Sequence, residues 1–137
     1  MDIFIDASAF IALWNADDTN HKAAITKSQT LVQENAQVFT SNIVVCEVLT
    51  VLSLRISKQK ALEFGETVFD NGLNVVLIDE DLQHDSWEIF RKIAGKNVSF
   101  FDCTAFALMQ SVDVKKVFSF DKDFIWYSGC LADSSFG

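Results

Sequence analysis

The sequence predicts an α/β fold: a mostly parallel sheet covered by helices on both faces. Three observations lead there. Short apolar runs of strand length alternate along the chain with longer stretches of helical period, and such alternation builds parallel sheets through crossover helices. The runs are apolar at nearly every position, the pattern of strands buried on both faces. The chain has 137 residues, half of them hydrophobic, with 13 Phe and 3 Trp. That is one core's worth of material, and a single domain over residues 1–137 is expected.

Taken in order, Ile3-Phe4-Ile5 reads as the first strand, followed by a helix from about Ser8 to Ala16. A second helix starts near Thr19 or Asn20 and carries Ala23, Ala24, Leu31 and Val32. Val38-Phe39-Thr40 is a short strand, after which Ser41 or Asn42 caps a helix through about Leu54. The next helix runs from about Lys58 to Phe69 and stops at Asn71-Gly72. Val75-Val76-Leu77-Ile78 is a buried-type strand, and Leu82 to Ile93 a helix with Trp87 and Phe90 on one face. Asp102 to Val112 is helical, Val117 to Phe120 a strand, and the tail near Leu131 adds an edge strand. No proline interrupts any helix.

Charge and cysteine content narrow the function. Eleven Lys and Arg against nineteen Asp and Glu give a net charge of −8, which argues against a broad basic surface for nucleic acid or anionic membrane. No signal peptide is legible, and the apolar stretch from Ile43 to Leu54 is short and broken by Glu47. A soluble, cytoplasmic protein without membrane contact is expected. Cys46, Cys103 and Cys130 are odd in number and widely spaced, so they read as buried small hydrophobes in a reducing compartment. His21 and His84 lie in polar segments without a partnered nucleophile.

In a parallel α/β sheet, ligands bind beyond the carboxyl ends of the strands. Asp6 follows the first strand, and Asp121 follows the strand ending at Phe120. Asp102 opens a helix in Ser99-Phe100-Phe101-Asp102. Each alone fits local capping, and Ser99-x-x-Asp102 fits a capping box. Glu47 is different, because its neighbours three and four residues away are Ile43, Val44, Thr50 and Val51. A carboxylate in that stripe needs compensation, and Arg55 and Lys58 lie two turns or more away. Several acids in one crevice without a basic residue either protonate or recruit a divalent ion. Oxygen donors without His or Cys select Mg²⁺ or Mn²⁺, ions suited to phosphate-ester chemistry.

Asp6-x-Ser8, Glu47 in an apolar helix, Ser99-Phe-x-Asp102 and Ser119-Phe-Asp121-x-Asp123-Phe124 together resemble the ordered four-acid pattern of PIN domains. In particular they resemble VapC-type ribonuclease toxins of toxin–antitoxin pairs. The resemblance spans nearly the whole chain. It implies a three-layer α/β/α sandwich on a central, mostly parallel five-stranded sheet, with Mg²⁺ or Mn²⁺ as cofactor. It also implies endonucleolytic cleavage of RNA to 5′-phosphate and 3′-hydroxyl ends, a cognate antitoxin and a homodimer. On this basis Asp6 and Asp102 are the principal metal ligands, Glu47 and Asp121 complete the ring and orient the attacking water, and Asp123 is an auxiliary acid. Ser8 and Ser119 are supporting hydroxyls, and His21 is structural or peripheral.

RNA contacts would draw on Arg55, Lys58 and Lys60, then Lys115, Lys116 and Lys122. Because the overall charge repels a polyanion, selection of a short or structured RNA motif is expected over bulk RNA. The Trp residues belong to no basic-aromatic cluster in the sequence and read as core or rim packing. Asp79-Glu80-Asp81 reads as a solvated helix start. Two other enzyme classes fit poorly. A phosphoryl-receiver domain needs an acid pair after the first strand, where Ala7 and Ser8 stand, and a haloacid-dehalogenase-like phosphatase needs Asp-x-Asp, where Ser8 takes the second place. The stronger rival is an inactive binding module of the same fold, which has no reason to keep Glu47.

Overall fold

The computed structural model describes residues 2–132. β1 (Asp2–Ile5) leads into α1 (Ala7–Trp14) and α2 (His21–Gln33), and β2 (Gln37–Ser41) into α3 (Asn42–Arg55) and α4 (Lys58–Asp70). β3 (Asn74–Val76) leads into α5 (Glu80–Lys92) and α6 (Phe100–Ser111); β4 (Lys116–Phe118) and α7 (Lys122–Ala132) follow. Two helices separate each pair of successive strands, enough chain for a parallel return.

The sheet is parallel throughout, in the order β3-β2-β1-β4. Ile3 pairs with Val38 on one side of β1 and with Lys116 on the other. The chain leaves β1 towards β2, while β4 returns to the opposite edge of β1. The carboxyl ends of β1 and β4 therefore form the switch-point crevice where such folds bind ligands.

Helices flank the sheet: α1 packs on α2 and α3, α3 on α4, α5 on α6, and α6 on α7. Phe4 at the centre of β1 is fully buried and meets Phe39 edge-on at 5.5 Å and Phe124 in a stacked arrangement at 6.3 Å. Phe106 closes on Phe124 at 4.9 Å, while Phe10, Trp14 and Phe64 form a second ring cluster on α1 and α4. Each fully buried Phe is worth roughly 1.5–3 kcal/mol over exposure. The helix stop at Asn71-Gly72 is as expected: Asn71 caps α4, and Gly72 adopts φ 75°, which favours glycine.

Two expectations about the sheet change. Among the described residues the sheet has four strands, not five, and Leu131 lies in α7, not in an edge strand. The side chain of Asp121 accepts the N–H groups of Asp123 and Phe124 at 3.0 and 3.2 Å, starting a helix there. Phe124, Ser128 and Leu131 then recur at helical spacing and are all buried. The residues after 132 lie outside the described part.

The strands expected to reach Ile78 and Phe120 are shorter, because side chains take over their backbone donors. Ile78 N–H donates to Asn42 Oδ1 at 2.7 Å, and Phe120 N–H to Ser8 Oγ at 2.9 Å. Cys46 is exposed, Cys103 buried and Cys130 in between, so burial holds fully for only one of the three. No helix among the described residues is long and apolar enough to cross a membrane.

Candidate active site

Asp6 is the first residue past β1, and its N–H still donates to Phe118 O on β4 at 3.0 Å. Only 7% of it is exposed. Its Oδ2 accepts the hydroxyl protons of Ser8 at 3.0 Å and Ser119 at 2.8 Å, and the two hydroxyl oxygens lie 3.1 Å apart. Ser8 Oγ in turn accepts Phe120 N–H, and Ser119 Oγ accepts Asp121 N–H at 3.1 Å. A hydroxyl has one proton and two lone pairs. With backbone donors engaging the lone pairs, both protons are directed at Asp6. Burial raises the Asp6 pKa; the two serines and the Ala7 N–H pull it back, and the negative charge of Asp121 adds a further upward push.

Glu47 stands midway along α3, half-buried. Its pKa is raised from 4.5 to about 7, first by burial and then by the charges of Asp6, Asp102 and Asp121. The ion pairs among the described residues are Lys60 with Glu63 and Arg91 with Glu88, both three residues apart on helix surfaces. Neither neutralises Glu47. Asp102 sits in the first turn of α6, where the expected capping box is complete: Ser99 Oγ accepts Asp102 N–H at 3.1 Å, and Asp102 Oδ2 accepts Ser99 N–H at 3.0 Å. Burial, followed by the charges of Asp6 and Asp121, still lifts its pKa to about 6 against the pull of those Ser99 hydrogen bonds.

The fold thus brings together Asp6, Glu47, Asp102 and Asp121 from β1, α3, α6 and the β4–α7 junction. Each lies within electrostatic reach of the others. Among the described residues no three Asp, Glu, His or Cys side chains are already gathered at metal-ligand spacing, so the acids form an open ring and not a closed cage. The donor set fits a hard dication: it is all oxygen, it is short of positive charge, and at Asp102 and Asp121 the hydrogen bonds fall on one carboxylate oxygen each.

Asp123 is not in the ring. It is exposed in the first turn of α7, its N–H serving Asp121, and its carboxylate is not among the charges acting on Glu47 or Asp102. His21 is structural, its Nδ1 donating to Ala12 O at 2.7 Å and tying α2 to α1. Asp79 caps α5 through Leu82 N–H at 3.0 Å. Burial pushes the Cys103 thiol up to about 12, with the charge of Asp102 adding to it, so it stays protonated and inert. Of the basic candidates, Arg55, Lys58, Lys115, Lys116 and Lys122 are exposed, while Lys60 is engaged by Glu63.

Sequence reasoning passes over Thr40. Its side chain is fully buried and donates to Ile5 O at 2.8 Å, fixing the end of β1 immediately before Asp6. The signal was a hydroxyl at the end of an apolar strand.

A model of the PIN domain matches residues 3–128 of this chain. The 23S rRNA-specific endonuclease VapC20 of Mycobacterium tuberculosis is 30% identical over 122 residues, which cover 89% of this chain and 91% of that protein. The crystal structure of VapC20, described as a sarcin–ricin loop cleaving toxin, is similar with a TM-score of 0.81 at 29% identity, covering 91% of this chain and 94% of the other. FitAcB of Neisseria gonorrhoeae shares the fold with a TM-score of 0.68 at 15% identity, over 93% of both chains. VapBC2 of Rickettsia felis, bound to a promoter DNA fragment, shares it with a TM-score of 0.58 at 14% identity, over 88% of this chain and 100% of that one. Fold, order of acids and similarity over nearly the whole length agree: the chain belongs to the PIN-domain family and resembles its VapC-type toxins.

Proposed function

We propose that the protein is an Mg²⁺- or Mn²⁺-dependent endoribonuclease, the cytoplasmic toxin of a toxin–antitoxin pair. The observation that carries this is Glu47: a half-buried acid facing three other acids and no cation among the described residues. Such an arrangement costs stability in an apo protein and is useful where a dication is to be held. Similarity to a 23S rRNA-specific endonuclease supports RNA as the substrate class. Likeness in fold to FitAcB and VapBC2 supports an antitoxin partner, and a homodimer belongs to the same reading.

Asp6 and Asp102 would hold the dication, with Glu47 and Asp121 completing the ring and Asp123 as an outer auxiliary acid. When bound, the ion offsets the charge gathering on the phosphate and lowers the pKa of the attacking water. The chain's own residues set the geometry. Ser8 and Ser119 fix Asp6 and offset part of the burial that opposes its charge, and the capping box holds Asp102 on the first turn of α6. Glu47 and Asp121 orient the water. Its oxygen attacks phosphorus as the bond to the 3′ oxygen breaks; the water gives up a proton to the acid ring and the departing 3′ oxygen takes one, so the products carry 5′-phosphate and 3′-hydroxyl ends.

The test is cleavage of total RNA by purified, tag-free protein in Mn²⁺, beside Asp6→Asn and Asp102→Asn. Discrete fragments from the wild type alone support the nuclease. Equal background cleavage by all three withdraws it and leaves a binding module of the same fold.

A further inference from the structure

We propose that the cleft between α5 and α6 is a subsite for one unpaired nucleobase of the RNA substrate, with Trp87 as its stacking wall. The inference deepens the nuclease reading and rests on it. The cleft is open, about 530 Å³, and is lined by Glu80, Gln83, His84, Trp87 and Phe100.

The aromatic residues here are not needed for the core. The buried residues of α5 are Ser86 and Ile89, whereas Trp87 is 49% exposed. Trp87 lies 6.2 Å from Phe90 at 31°, and Phe90 meets Phe100 edge-on at 5.6 Å. Phe100 is the first residue of α6 and Asp102 the third, so the ring cluster and an acid of the proposed centre share one helical turn. Phe101 between them is 56% exposed. Large rings left in solvent, on the helix that carries Asp102 and on the helix packed against it, are what a base-stacking platform requires.

The chemistry of the lining chooses the occupant. An apolar helix of a protein partner would want an aliphatic floor. Here two ring faces are combined with a carboxylate, an amide and an imidazole, which suit a flat heterocycle with hydrogen-bonding edges. Net charge points the same way. With −8 overall, phosphate attraction contributes little, and affinity must come from contacts that charge does not oppose. Local positive charge adds little, since Arg91, one turn on from Trp87, is already engaged by Glu88.

The experiment uses the full chain carrying Asp6→Asn, so that RNA binds without turnover. The probes are a hairpin RNA with the sarcin–ricin loop sequence and a fully paired duplex made from its stem. The hairpin is expected to quench tryptophan emission. Adding Trp87→Ala should weaken hairpin binding about 10-fold, Trp87→Phe should restore most of it, and Trp126→Ala, an exposed tryptophan on α7, should change nothing. Duplex binding should not depend on Trp87. In the cleavage-competent chain, Trp87→Ala should raise KM by a similar factor and leave kcat nearly unchanged.

Unaltered hairpin affinity and KM in Trp87→Ala would overturn the subsite. So would a Trp87→Ala chain that loses self-association while binding RNA normally, since the occupant would then be a second copy. If the wild type cleaves no RNA, the nuclease reading fails separately, and the binding titration still decides the subsite.

Discussion

Ser119 and Asp6 are 113 residues apart in sequence and joined by a 2.8 Å hydrogen bond. Through it the end of β4 holds the acid at the end of β1, with Ser8 closing the triangle. Ser119→Ala removes a donor to a buried carboxylate, and hydrogen bonds to charged groups contribute about 1.5–3 kcal/mol. A loss of that order is expected in urea unfolding at neutral pH, together with weaker Mn²⁺ binding by calorimetry. Ser119→Thr, which keeps the hydroxyl, should recover most of both.

Without a dication, stability should fall as pH rises through the acid cluster. Asp6, Asp102 and Glu47 all have pKa values raised in the folded state, the latter two to about 6 and about 7. The native state therefore binds protons more tightly than the unfolded chain. Their favourable contribution is complete below the ordinary carboxylate range and is lost as pH climbs through 6 and 7. Glu47→Gln should match the wild type near pH 4 and exceed it above pH 7. Urea midpoints measured across that range check this, and identical curves for the two proteins would count against it.

A bound ion should reverse that deficit. Mn²⁺ at a hundred times its dissociation constant adds about 2.7 kcal/mol to a protein that binds it only when folded. The wild type is expected to melt higher in Mn²⁺ and to return to its apo value with a chelator. Asp102→Asn, which relieves repulsion but keeps an oxygen to accept Ser99 N–H, should melt higher than wild-type apo protein. It should respond little to Mn²⁺ and should not cleave RNA. Differential scanning calorimetry with and without the ion reads all of these.

Phe124 couples the core to the site. It is fully buried against Phe4 and Phe106, and its N–H is held by the Asp121 side chain. Phe124→Ala should cost about 3–5 kcal/mol and loosen Asp121. Cleavage should then fall even at temperatures where circular dichroism shows the chain folded. Phe124→Leu should keep more of both.

The alternation of strands and helices was readable because period and length agree in those segments. The acids at strand ends were readable because the switch-point rule says where to look. Helix α7 was not. Phe124-Ile125-Trp126-Tyr127 has strand-like composition, and what makes it helical is the Asp121 cap and the buried row of Phe124, Ser128 and Leu131. Cys46 misled for a related reason: α3 is apolar on nearly every side, so spacing alone does not say which residue faces out. Glu47 stood out in that helix because a carboxylate needs a reason to be there. Trp87 and Phe100 were invisible as a pair, since only the packing of α5 on α6 brings them to one cleft.

The strand order has a consequence for how the protein is made. β4 comes last among the strands yet lies beside the first, so Asp6 emerges from the ribosome more than a hundred residues ahead of Ser119 and Asp121. A nascent or prematurely ended chain lacks the partners that hold and complete the acid ring. By this wiring the proposed dication site cannot assemble until β4 and the turn after it have been made.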